Sequence, residues 1–157
     1  MQTLNGKCVR NDAASYAADV GMWRHAIGNY SFAVDTGAQA AYTIFTVTGD
    51  VLLTVFGLCK TIVTGAAATL ELGIAGNTAA LIAQSVGTDI DLNETWQDAV
   101  PEANPGVVDV FGGARQFVIS GGADVILTIA TADVTDGVID FHAFWMPLSL
   151  DGSVVAA

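Results

Sequence analysis

Asp89-Ile90-Asp91-Leu92-Asn93 has the residue types and spacing, D-x-D-x-N, that open a helix-loop-helix calcium site. Such a loop then needs a glycine and, at its close, a bidentate glutamate; Glu94 and Val100 stand in those places, so the motif is rejected. On a strand, Asp89, Asp91 and Asn93 would share one face, an ordinary solvated edge; an irregular calcium site is the alternative. Nucleophilic catalysis needs a serine or cysteine activated by a histidine. His25, near Trp23, and His142 are the two histidines, and neither belongs to a G-x-S-x-G, H-E-x-x-H or P-loop pattern. His142 reads as a strand residue hydrogen-bonded at a sheet surface or interface. Cys8 and Cys59 form no C-x-x-C and have no neighbouring histidine, so two reduced thiols are expected, with a Cys8–Cys59 disulfide as the alternative. Sixteen acids leave a glycosidase-type carboxylate pair open in space, but nothing singles one out. The expectation is a non-enzymatic chain with no catalytic, cofactor-binding or metal residues.

The elements around these residues are short. Thr43 to Thr48 and Val51 to Leu58 are rich in β-branched and aromatic residues and meet at Gly49-Asp50, a pair suited to a primed hairpin turn. The same grammar recurs at Phe117 to Ser120, Gly121-Gly122 and Asp124 to Thr131, and again at Asp136-Gly137 before Val138 to Trp145. This spacing predicts an all-β protein, an antiparallel β-sandwich or jelly-roll-like barrel. Alternation assigns inward faces to Ala68, Leu70, Leu72 and Ile74, to Val125, Leu127 and Ile129, and to Ile139, Phe141, Ala143 and Trp145, with Pro147 ending the last strand. From Val51 to Val63 both parities are apolar, so that strand must be covered twice, by a second sheet or by another subunit. Glu94, Asp98 and Glu102 flank Trp96 ahead of Pro101 and Pro105. This reads as an acidic surface loop, with Trp96 either a lid on the core or an exposed partner anchor.

A length of 157 residues fits one domain with a sizeable core. At 52% hydrophobic and 13% charged, the chain is more apolar than a soluble monomer of this size needs, which points to a partner. The apolar run from Val51 stops at Lys60, far short of the ~20 residues of a membrane-spanning helix. The N-terminus has no continuous apolar stretch and does not read as a signal peptide. Charge is uneven: residues 1–30 balance to +1 and the remainder to −12, giving −11 overall. Such a body repels nucleic acid and anionic membrane, so neither is expected as a partner. Residues 1–30 lack strand alternation and read as an irregular N-terminal arm ahead of a single domain at 31–157. The arm is either a frayed terminus or a docking segment, with Arg10, Trp23 and Arg24 as its contact residues and Trp96 as a further partner contact.

Four stretches carry a resemblance: Ile44-Phe45-Thr46-Val47-Thr48-Gly49-Asp50-Val51-Leu52, Leu70-Glu71-Leu72-Gly73-Ile74-Ala75-Gly76-Asn77-Thr78, Ala80-Leu81-Ile82-Ala83-Gln84, and Gly137 to Phe141 running on through Trp145-Met146-Pro147-Leu148-Ser149. Over roughly residues 40–157 the chain resembles small virion proteins encoded by tailed bacteriophages and prophages. The resemblance implies a β-sandwich head decoration (cement) protein, made in the bacterial host cytoplasm and placed on the capsid exterior. It also implies assembly as a homotrimer, a terminal arm clamping the major capsid protein, and no cofactor. A head-fibre, tail-tip or carbohydrate-binding β domain is the alternative, with Trp96 as its discriminating aromatic.

Overall fold

The computed structural model describes residues 22–101 and 115–157. They form strands β1 (Arg24–Ser31), β2 (Ala41–Thr48), β3 (Val51–Thr64), β4 (Thr69–Ile74), β5 (Asn77–Val86), β6 (Thr95–Trp96), β7 (Phe117–Ile119), β8 (Val125–Ala130), β9 (Asp136–Pro147) and β10 (Ser153–Ala156), with one helical turn, α1 (Phe32–Asp35). The first sheet runs β1-β9-β3-β6, with β7 also paired to β3; the second runs β10-β2-β8-β4-β5. Every pairing is antiparallel, so the chain is an all-β sandwich. The pairs are nested: β1 with β9, β2 with β8, β3 with β7 and β6, β4 with β5. The chain thus runs out along β1–β4 and back along β5–β9 as one doubled ribbon. Pairing of β3 with β9 and of β4 with β8 rolls that ribbon into two layers.

Period-two patterning sets what faces inward. In β9, Ile139, Phe141, Ala143 and Trp145 are buried while the residues between them stay half exposed; in β8, Val125, Leu127 and Ile129 are buried in the same rhythm. These side chains meet Ile44, Phe45, Leu70, Leu72 and Ile82 in one core. The inward face of β3 (Val51, Leu53, Val55, Cys59) is buried against the second sheet; on its outward face Leu52, Phe56 and Leu58 are half exposed, while Thr54 is buried with its hydroxyl donating to the Arg115 carbonyl at 3.5 Å.

Three expectations need correction. Gly49-Asp50 is not a hairpin turn, because β2 and β3 lie in different sheets. Gly49, at φ 62, turns the chain from one layer to the other. Asp50 then ties the corner: its N–H donates to Ser149 Oγ at 2.8 Å, its carbonyl accepts from Leu148 N at 2.8 Å, and its Oδ1 accepts from Gly121 N at 2.9 Å. Gly121-Gly122 likewise carries the chain from β7 in the first sheet to β8 in the second. Finally, the segment read as an arm contains β1, paired residue for residue with β9 from Arg24↔Trp145 to Ser31↔Val138. Its inward residues are Ala26, Gly28 and Tyr30 and its outward ones His25, Ile27 and Asn29, so polarity hides the alternation. Residues 1–21, including Arg10, lie outside the described residues.

At Gly28 the two layers approach closely. A Cβ built there would sit 2.6 Å from Ile44 Cγ2 and 2.7 Å from the Ile44 carbonyl oxygen. Gly28→Ala is therefore expected to destabilise the fold by about 1–3 kcal/mol, the usual cost of overpacking, although alanine is the less flexible residue. Urea unfolding of the two proteins checks this.

Candidate functional site

The outward face of the first sheet is the candidate site. Ladder register places its side chains in rows across β3, β9 and β1: Phe56, His142 and Ile27 in one, Leu58, Asp140 and Asn29 in the next. The row on the other side contains Phe144 and His25, and the one beyond it Val118, Leu52 and Met146. Ile27 is 51% and Val118 64% exposed. Asp140 is the one acid at the middle of this face, and its Oδ1 accepts from Asn29 Nδ2 at 2.8 Å.

At the centre, His25 Nε2 and His142 Nδ1 are 3.1 Å apart. The two rings are parallel to within 6° with centroids 5.2 Å apart, close to the N···N distance plus the two ring radii, so the bond runs in line. Both lone-pair directions lie along that line, which suits a shared proton better than a metal seated beside it. Phe144 stacks on His25 at 4.6 Å and Phe56 lies 5.2 Å from His142. Burial, then His25, holds His142 below the ordinary histidine value; Asp140 pulls it upward and Lys60 adds to the lowering. The bond survives one extra proton on the pair and breaks with a second, because two N–H groups would then face each other.

The second sheet presents a different outer face. Thr43, Thr46, Thr48, Thr69 and Thr128 are exposed or half exposed on its strands. Its single charged residue is Glu71, which accepts from Gln84 Nε2 at 3.4 Å. The acids sit mainly in the connections. There Asp35, Glu94, Asp98 and Asp133 accept backbone N–H groups from Ser31, Asp91, Val100 and Gln39.

Among the described residues, Trp23 and Arg24 are not brought together with Trp96. Trp23 is 44% exposed just ahead of β1, and the Arg24 guanidinium lies 5.1 Å over the Trp145 ring. Trp96 is fully buried, a core residue and not a surface anchor. Its ring packs on Phe141, its Nε1 donates to Ser85 Oγ at 2.7 Å, and Thr95 and Trp96 form β6 where a surface loop was expected. Asp89 to Asn93 is not a strand edge either. Gly87–Asp89 is a turn of 3-10 helix, Ile90 is buried, and Asn93 sits at φ 66. Sequence reasoning missed His25 as a partner of His142, because only the β1–β9 register brings residues 117 positions apart into contact.

Among the described residues, no group of three or more His, Cys, Asp or Glu is placed to hold a metal ion. A concavity of about 440 Å³ beside the bulged end of β3 is lined by Lys60, Thr61, Ile62, Thr64, Leu92 and Asp136, and it is open to solvent. Among the described residues no helix is long and apolar enough to cross a membrane. Cys59 is a free, buried thiol donating to the Thr61 carbonyl at 3.1 Å, and burial pushes it up to about 11. A thiol held that high is expected to resist alkylation at pH 8 in the native protein and to react fast in denaturant, as mass spectrometry would show. Trp96→Ala is expected to cost about 3–5 kcal/mol, while Trp23→Ala stays within about 0.5 kcal/mol, measured by chemical denaturation.

No protein-family model and no curated protein matches this chain. Two solved structures share its fold. One is a chain of the cyanophage Pam1 capsid asymmetric unit, at 16% identity and TM-score 0.54, covering 82% of this chain and 87% of that one. The other is a chain of the acidic stable capsid structure of Helicobacter pylori bacteriophage KHP30, at 9% identity and TM-score 0.51, covering 87% of this chain and 94% of that one. The two-sheet fold described above is thus one that occurs, over more than four-fifths of each chain, in chains of two phage capsid structures.

Proposed function

We propose that this chain is a non-enzymatic structural protein of a tailed-phage virion that decorates the capsid exterior as a homotrimer and stabilises the shell, having been made in the bacterial host cytoplasm. The observation that carries this is the fold shared, over more than four-fifths of either chain, with chains of two phage capsids. The nested order β1:β9, β2:β8, β3:β7/β6, β4:β5 supports reading the sandwich as jelly-roll-like, an architecture recurrent in viral capsid proteins. Two sheet faces with few charges, on a chain of net charge −11, also suit close packing against other subunits. The alternative of a fibre, tail-tip or carbohydrate-binding domain loses Trp96 as its discriminating exposed aromatic, because Trp96 is buried.

In this reading the partners are the major capsid protein and two further copies of the chain. The segment leading into β1, with Arg10 and Trp23, reaches the capsid subunit, while Arg24 is committed to Trp145 and anchors the base of that segment. The aromatic face of the first sheet meets the neighbouring copy. Each large apolar side chain covered there contributes roughly 1.5–3 kcal/mol.

Added to undecorated heads, the protein is expected to raise their disruption temperature saturably and at fixed stoichiometry, because it binds the assembled shell in preference to free subunits. Heads that take it up without gaining stability would overturn the decoration role. Ile27→Asp places a charge in the middle of the aromatic face and is expected to leave a folded monomer. Multi-angle light scattering beside circular dichroism checks this, and a trimer in the variant would remove that face from the interface.

A further inference from the structure

We propose that the contact made by the aromatic face with a neighbouring copy of this chain is proton-sensitive, holding while the His25–His142 pair is neutral and loosening as the pair takes up protons. The inference rests on the homotrimer reading. In that reading the occupant is a second copy, and charge bears only on which face it uses. A chain of −11 approaches its like best where acids are fewest, and Asp140, the acid at the middle of this face, is already bonded to Asn29.

The sign follows from the surroundings of the pair. Three strands pack around it: β1 supplies His25, β3 supplies Phe56 and Lys60, and β9 supplies Phe144 and Asp140. Two phenyl rings offer no hydrogen bond to an imidazolium, and Lys60 opposes the added charge. Asp140 favours it, and His142 nevertheless lies below its ordinary value in the uncovered chain. Covering the face removes the remaining water, so the covered pair holds fewer protons than the uncovered one. Association must then weaken as pH falls through the range in which the uncovered His142 takes up its proton, below the ordinary histidine value of about 6.5. The limit is about tenfold per pH unit for each proton displaced.

Sedimentation equilibrium of the full chain between pH 5.5 and 7.5, alongside the His25→Gln/His142→Gln double variant, tests this. The wild type should lose association progressively below about pH 6.5, and the variant should lose the pH dependence while still associating. Association equal at both ends of the range overturns the inference and leaves the homotrimer standing. No association at any pH overturns the homotrimer, and the inference with it. Should the double variant fail to fold, proton NMR titration of the two wild-type imidazoles, at concentrations above and below the association midpoint, decides the same question. Lower titration midpoints in the associated protein support the proposal, and unchanged midpoints overturn it.

Discussion

A chain that changes sheets at most of its turns leaves backbone N–H groups at the crossings with no ladder partner, and this structure satisfies many of them with carboxylates. Asp50 accepts from Gly121 at one corner and Asp124 accepts from Val47 at 2.9 Å beside it. Asp133 serves Gln39, Glu94 serves Asp91, and Asp136 serves its neighbour Gly137. A buried or half-buried N–H without a partner costs about 1–3 kcal/mol, and a bond to a charged acceptor is stronger than a neutral one. The acids are therefore part of how the ribbon is folded, and their concentration at the connections leaves both sheet faces nearly uncharged.

That arrangement explains what was legible in the sequence and what was not. The inward residues of β8 and β9 could be read from their period of two, with Thr128 and Ala130 opposite Leu127 and Ile129 in β8 and Asp140 and His142 opposite Ile139 and Phe141 in β9. The inward row of β1 could not, because Ala26, Gly28 and Tyr30 provide little contrast with His25, Ile27 and Asn29. A two-residue Gly-Asp link looks alike whether it closes a hairpin or crosses between sheets, as both uses need a residue at positive φ. What separates them is the long-range company of Asp50, namely Ser149 and Gly121. The acids around Trp96 left it readable either as a lid on the core or as an exposed anchor; the Glu94 side chain turns back onto the Asp91 N–H, and the indole enters the core.

The same lesson applies to the candidate site. His142 was legible as a strand residue at a sheet surface, but its chemistry depends on His25, Phe56 and Phe144, and those contacts follow from ladder register. No motif marks such a cluster, because its spacing in sequence is set by the length of the ribbon and not by local geometry. Cys59 shows the converse. Its inertness could be anticipated from an apolar strand alone, and the structure adds the carbonyls of Thr61 and Ile90 that occupy its proton.

Charge at the ends and neutrality on the faces direct how copies can meet. Net charge of −11 keeps molecules apart in most orientations, and the repulsion is carried by loops at the rims of the sandwich. Approach through a sheet face avoids it. The two faces differ, one aromatic with a histidine pair at its centre, the other dominated by threonine with Glu71 as its single charge. A two-fold pair would bring like faces together, whereas unlike surfaces meeting head to tail close into a ring when the rotation allows. In the homotrimer proposed above, the aromatic face would therefore meet a different surface on its neighbour.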